Sequence, residues 1–458
     1  MAAATTLISS DVALFFERTN LLGPSINKKR KISCLALPSS SCSSHSSSSS
    51  TRSVSSASFP ATFTNVPQDE IEVPESLKSA ETYEFIGFDR KTALEIWSRF
   101  ISTSDPDDPE GDFMGYARSY VNHSGVPDAL SVLDDWTSTM NRLGINKTLQ
   151  SAIMLPEFDD LRSTASCKFW VLDSMTVAYA TLEHLNDQLR SEMARRQRIS
   201  KTGHRDQSQP PARPAPISRK QSVSRPGSRD ADAAAAGLSV SEEEAGAVSV
   251  SVPEAPERLD GHTMIWRGCS RLSALEFGEG HPDHLVLRAM RSSPGDFSYA
   301  PVVYFTPQRE TADRYATWLK HKVPASEVAI FQAAVPKDLI RSLSVNYLWS
   351  DGVETDTWKR VIWHSRRSEK LPKDLRWMAD KDLWIGHIAR SLHSRYVAME
   401  SYTMIESSDT LSVKIDGDWR KAIQWVFYDS DAEDLFALSC KGKTWIHSTG
   451  KLVDETPK

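Results

Sequence analysis

Between residues 91 and 193 apolar side chains return every three or four positions, the spacing of one face of a helix. Leu94, Ile96, Trp97 and Phe100 mark the first such face, and Ser104-Asp105-Pro106 ends it. Pro127 opens a second helix at the first-turn position proline favours; Leu130, Leu133, Trp136, Met140 and Leu143 line it and Gly144 closes it. The third is the clearest, with Met175, Ala178, Leu182, Leu185, Leu189 and Met193 in alternating three- and four-residue steps before the basic run Arg195-Arg196-Gln197-Arg198. This stripe predicts packing inside a domain, with a coiled-coil partner surface as the competing reading because the period is about 3.5.

From residue 255 onward the pattern shifts to short β-branched and aromatic runs. Ile265-Trp266-Arg267-Gly268 reads as a strand ending in a cation and a glycine. Val302-Val303-Tyr304-Phe305 reads as a buried strand that turns at Thr306-Pro307 into the helix of Glu310-Thr311-Ala312-Asp313-Arg314-Tyr315-Ala316. Further strands are predicted at 329–336, running into a turn at Lys337-Asp338, and at Val361-Ile362-Trp363, 382–388 and 423–427, with a final pair at 435–440 and 444–447. Over 431–438 a helix competes with the strand. The mixture predicts an α+β class.

Two stretches interrupt these patterns. Residues 38–58 are dominated by Ser, and 201–252 mix Pro, Ser, Arg, Ala and acids without an apolar period, so neither can bury enough surface to offset chain entropy. The chain therefore divides into a disordered tail at 1–75, a helical block at 76–200, a disordered linker at 201–254 and an α+β domain at 255–458. Ser222, behind Arg219-Lys220, is a candidate phosphorylation site in that linker.

The net charge of -6 argues against a general nucleic-acid binder. No run approaches the roughly 18 apolar residues of a membrane helix, and the N-terminus has no cationic lead, so no secretory signal and no membrane partner are expected. The expectation is an intracellular protein, cytoplasmic or nuclear, with Lys28-Lys29-Arg30-Lys31 in the tail as a candidate import signal. The five Cys have no C-x-x-C spacing and the His no metal-ligand spacing, so no metal is expected. Cys269 beside Arg267 reads as an ordinary buried thiol. A G-x-S-x-G elbow and a phosphate-binding G-x-x-x-x-G-K-[ST] loop are both missing from the sequence.

The order of the later segments resembles the ADP-ribosyltransferase fold, and more closely a family of uncharacterised microbial domains near the ADP-ribosyltransferases. The features carrying this are Trp266-Arg267-Gly268, then Asp296-Phe297 ahead of Tyr304-Phe305-Thr306, then Ala312 and Ala316. Trp358 through Arg366, Asp382-Leu383-Trp384-Ile385-Gly386-His387-Ile388-Ala389, and Ile423-Gln424-Trp425-Val426-Phe427 follow in the same order. The resemblance implies a split sheet with the helical block ahead of it, and NAD as substrate, for mono-ADP-ribosyl transfer to a macromolecular acceptor or NAD hydrolysis. A catalytically inactive fold that binds a nucleotide or a protein partner is the alternative.

Transfer from NAD passes through a cation-like ribose, which calls for a carboxylate, a cation for the diphosphate and an aromatic wall for nicotinamide. Arg267 with Gly268 suits the diphosphate, Tyr304 and Tyr315 the wall, and Thr306 a ribose hydroxyl. The catalytic position falls on Gln424, where active transferases carry Glu. A neutral amide hydrogen-bonds but brings no charge. Glu310 is the acid offered in its stead, and Glu400, Glu406, Asp429 and Asp431 are the other acids near that strand, each with an exposed surface acid as the competing reading.

Overall fold

The computed structural model describes residues 6–33, 36, 70–103, 112–128, 135–205, 255–279, 295–298, 302–367, 369–390 and 393–448. The Ser-rich stretch, Ser222 and nearly all of the expected linker lie outside these residues. One compact unit comprises Met1–Ala194 with Glu257–Lys458, and Arg195–Pro256 forms a second, whose described part is chiefly the end of a long helix.

The chain begins with α1 (Ser10–Arg18) and a hairpin of β1 (Lys29–Ser33) with β2 (Glu70–Pro74). The expected tail is thus partly folded. Leu7, Ile8, Val12, Phe16, Leu22, Ile32 and Val73 pack on Leu182, Leu185 and Leu189, which is why the apolar stripe needs no partner chain. The basic run is not free either: Lys29 pairs with Glu72 and Glu84, Arg30 with Glu17 and Glu75, and Lys31 with Glu70.

Six helices follow: α2 (Ala80–Ile86), α3 (Arg90–Thr103), α4 (Phe113–His123), α5 (Trp136–Arg142), α6 (Lys147–Ile153) and α7 (Asp159–Arg162). The 39-residue α8 (Cys167–Arg205) comes next. Side chains start several of them: Ser79 accepts from the Thr82 amide at 3.1 Å, Asp112 from Gly115 at 2.7 Å and Asn146 from Leu149 at 2.9 Å. Of the helix expected from Pro127, the part at Trp136–Arg142 is capped by Asp135, whose carboxylate takes the Ser138 amide at 3.0 Å; residues 126–128 have no regular structure, and Leu130 and Leu133 lie outside the described residues.

The remainder is α+β: β3 (His262–Ser270), α9 (Arg271–Glu279), β4 (Val303–Phe305), α10 (Arg309–Lys322), β5 (Val328–Pro336), α11 (Lys337–Ser342), β6 (Val345–Leu348) and α12 (Thr355–Arg366). Then come β7 (Leu383–His387), α13 (His393–Ala398), the hairpin β8 (Ser412–Ile415) and β9 (Asp418–Lys421), β10 (Ile423–Phe427), α14 (Ser430–Ser439) and β11 (Thr444–Ser448). Two sheets carry the architecture, a four-stranded one in the order β4-β10-β7-β6 and a three-stranded one in the order β11-β5-β3. They meet where Trp266 and Thr306 exchange backbone hydrogen bonds of 2.7 and 2.9 Å.

Between the sheets lies a core of Ile265, Val303, Phe305, Phe331, Leu383, Ile385 and Phe427, closed by Phe436 of α14. The alternate residues of the same strands, Trp384 and Val426, face Trp358, Val361 and Ile362 on the other side. Two local expectations change here, and of the two readings at 431–438 the helix is the one observed. Val361-Ile362-Trp363 is helical, because Trp358, Val361, Ile362 and Ser365 form one buried helical face and outweigh local β preference. Residues 435–439 belong to α14 for the same reason, and the expected turn at Lys337-Asp338 opens α11. Among the described residues no helix is long and apolar enough to cross a membrane.

Candidate functional site

A cavity of about 530 Å³ opens between α8 of the helical block and the β3, β4 and α10 layer of the α+β part. The two parts are fastened around it: Arg314 of α10 pairs with Asp160, the Trp318 indole donates to the Ala152 carbonyl at 3.3 Å, and Trp318 shares a core with Trp170. Arg267, Gly268, Tyr304, Thr306, Tyr315 and Gln424 all line this cavity. Glu310 does not. It stands at the start of α10 in a different hollow, beside His387 and Lys421.

Each residue arrives by its element. Arg267 points inward from the middle of β3 and its Nη1 donates to the Tyr304 carbonyl at 2.7 Å. Burial lowers its pKa, with Cys269, Asp173 and Tyr304 acting the other way. Gly268 is there for close approach: a Cβ would stand 2.1 Å from the Ala312 carbonyl oxygen and 2.7 Å from the Ala316 nitrogen of α10. Thr306 spends its hydroxyl on the turn into α10, accepting the Gln308 amide at 3.1 Å. Tyr315 donates to the Thr164 hydroxyl at 3.4 Å, and burial pushes its pKa up to about 12. Tyr304 is raised further by burial, and the Cys269 thiol up to about 11 for the same reason.

Gln424 sits in a closed network. Its Nε2 donates to Asp296 Oδ2 at 2.7 Å; the same oxygen takes the Ala389 amide at 2.7 Å, and Oδ1 takes Arg366 Nε at 2.7 Å. Arg366 is completed by the Thr164 and Ala389 carbonyls. Burial opposes its charge, but Asp296, with Tyr396 and Tyr304, raises its pKa on balance. Gln424 is thereby held by hydrogen bonding beside the Asp296–Arg366 pair.

The sequence reading missed a second cluster. Lys322, its side chain 2% exposed, lies 4.2 and 4.4 Å from the ring centroids of Trp170 and Trp318 and 2.9 Å from Asp173 Oδ2. Burial lowers its pKa despite Asp173. Its place in Lys320-His321-Lys322 at the end of α10 suits the helix dipole and gave no hint of a cavity. Among the described lining residues Arg118, Arg267, Lys322 and Arg366 face only Asp173 and Asp296.

The other acids have local work. Asp429 caps α14, Asp431 lies exposed in its first turn, Glu406 closes a capping box with Asp409, and Glu400 is exposed. No group of three or more His, Cys, Asp or Glu that could hold a metal occurs among the described residues. No family model, curated protein or solved structure matches this chain.

Proposed function

We propose that this chain is a ligand-binding module, built like an ADP-ribosyltransferase domain, that takes NAD or a related nucleotide in the cavity and does not transfer ADP-ribose. One observation carries the reading: the described lining holds four cations and two carboxylates, and both carboxylates are already engaged, Asp173 by Lys322 and Asp296 by Arg366. Among the described lining residues a cation-like ribose would find no unengaged carboxylate, whereas a phosphate would meet Arg and Lys side chains. The volume falls in the range of small-molecule sites, and the part-buried rings of Trp266, Tyr304, Tyr315 and Phe169 supply faces for a base.

Titration calorimetry with NAD, ADP-ribose and nicotinamide tests this. NAD and ADP-ribose should bind and nicotinamide alone should not. Arg267→Ala should weaken binding by about tenfold to a hundredfold, the usual worth of a charge-assisted contact. Absence of NAD binding at millimolar concentration would end the nucleotide reading. Release of nicotinamide by the wild-type protein would return the chain to the transferases and glycohydrolases.

A further inference from the structure

Two helices from different parts of the chain bring one amine to the cavity wall. α8 supplies Trp170 and Asp173, three residues apart, and α10 supplies Trp318 and Lys322, four apart, so each pair shares a face of its helix. Lys322 lines the cavity, yet its side chain is only 2% exposed and its Nζ lies 4.2 and 4.4 Å from the two indole centroids, so the approach to it is from the cavity. The carboxylate it meets, Asp173 Oδ2 at 2.9 Å, lines the same cavity and is 36% exposed. Burial holds the ammonium below the usual lysine range although Asp173 opposes this. A lysine desolvated in this way gives up its proton more readily than a surface lysine and then offers a nucleophilic lone pair, and here the acceptor for that proton is already in hydrogen-bond contact.

We infer that Lys322, caged by Trp170 and Trp318, is a Schiff-base-forming lysine for a small aldehyde with an apolar or aromatic body, and that Asp173 relays the protons of the condensation. The ion pair is the resting state. Asp173 takes a proton from the ammonium, the Nζ lone pair attacks the carbonyl carbon, and the C=O π pair moves to oxygen. A proton shifts from nitrogen to that oxygen to give a carbinolamine; Asp173 returns its own proton to the hydroxyl, which leaves as water while the nitrogen lone pair closes the C=N bond. The iminium carries the same single positive charge as the ammonium it replaces, and nothing is oxidised or reduced. Two indole faces and a carboxylate favour that cation, and its remaining N–H still has Asp173 to donate to. The neighbouring walls, Phe169, Trp266, Tyr315 and Leu319, suit an apolar body, and the narrow space between two indoles favours a carbonyl that bears a hydrogen over a bulkier ketone. The inference needs a small molecule to enter the cavity but does not need NAD to bind there, so it stands or falls apart from the nucleotide reading.

The experiment treats the full-length protein with limiting benzaldehyde and sodium cyanoborohydride, which reduces an imine to a stable benzylamine, and locates the modified lysines by peptide mass mapping over time. Lys322 should be labelled about tenfold or more faster than the exposed Lys91 and Lys414. Lys322→Arg, which keeps the cation and its pairing with Asp173, should remove that fast label and leave the slow ones. Asp173→Asn should slow the labelling of Lys322 by about tenfold or more, the usual worth of a positioned proton-transfer group. A merely structural ion pair predicts the reverse, because without the carboxylate the amine would be neutral more often and would label faster. Labelling of Lys322 in the wild-type protein no faster than that of Lys91 and Lys414 would overturn the inference however the variants fold, and so would equal or faster labelling in Asp173→Asn.

Discussion

The same cavity wall carries two buried ion pairs built on opposite plans. Asp296 and Arg366 are both nearly inaccessible, 2% and 5%, and every oxygen of the carboxylate is taken by Arg366, Gln424 or the Ala389 amide. Asp173 and Lys322 form a lopsided pair, with a sealed cation and an open carboxylate. A closed network repays its desolvation only through complete hydrogen bonding, so its value lies in holding Thr164 of the helical block against α12 and the strands. The open pair leaves its carboxylate within reach of solvent, so completeness of hydrogen bonding, more than residue type, distinguishes the two.

The most drastic way to break this contrast is Gln424→Glu. On sequence grounds it would restore the missing carboxylate of a transferase. In the closed network it would set a second carboxylate against Asp296, where two such groups cannot both ionise. The variant should lose about 3–5 kcal/mol of stability, as when a buried pair is disrupted, and release no nicotinamide. Chemical denaturation with a parallel nicotinamide assay checks both, and a stable variant would mean that Asp296 is less enclosed than its contacts imply.

Acid sharpens the contrast with a smaller effect. His387 borders the closed network, its carbonyl accepting Trp358 Nε1 at 3.0 Å and Gln424 Nε2 at 3.4 Å, and burial pulls its pKa down from 6.5 to about 4, with Lys421 adding to the shift and Asp351 opposing it. The Ser350 amide donates to His387 Nδ1 at 3.0 Å, which fixes the neutral ring with its proton on Nε2. Below 6.5 the unfolded chain takes up a proton that the folded one refuses, so stability should fall as the pH drops from about 6.5 to about 4. His387→Gln should flatten that part of the profile in thermal melts. An unchanged slope would assign the acid sensitivity elsewhere.

The smallest effect belongs to pairs at the surface. Arg30→Ala removes contacts to Glu17 and Glu75, whose side chains are 37% and 33% exposed, and should cost no more than about 1 kcal/mol in a denaturant melt. A much larger loss would show that the N-terminal hairpin is locked by charge and not by Phe16 and Ile32 in its core. Lys29, Arg30 and Lys31 lie in a paired strand and meet carboxylates, so this basic run belongs to folded structure and not to the disordered tail expected for it.

What could be read from the chain alone follows range. The α3 and α8 stripes and the strands at β3, β5, β7 and β10 write their burial into spacings of two to four residues, and these are legible. The hairpin at 29–33 and 70–74 is not, since its partner strand lies beyond a long Ser-rich stretch. The candidate site divides in the same way. Arg267, Tyr304, Thr306 and Tyr315 stand out by local pattern and converge on one cavity. Lys322 meets Asp173 across 149 positions and Arg366 meets Asp296 across 70, contacts that no window of sequence reveals. Glu310 is legible only as an acid at the start of a helix, and the structure puts it in a second hollow with Gln308 and Lys421.

Gly268 gauges the whole arrangement. With no side chain in the way, the backbone of α10 rests directly on β3 at Ala312 and Ala316. Main chain touching main chain has no rotamers to adjust, so this contact acts as a fixed stop between the strand that bears Arg267 and the helix that ends in Lys322. The spacing between that strand and that helix is therefore preset like the gap of a calliper, decided by backbone before any side chain moves.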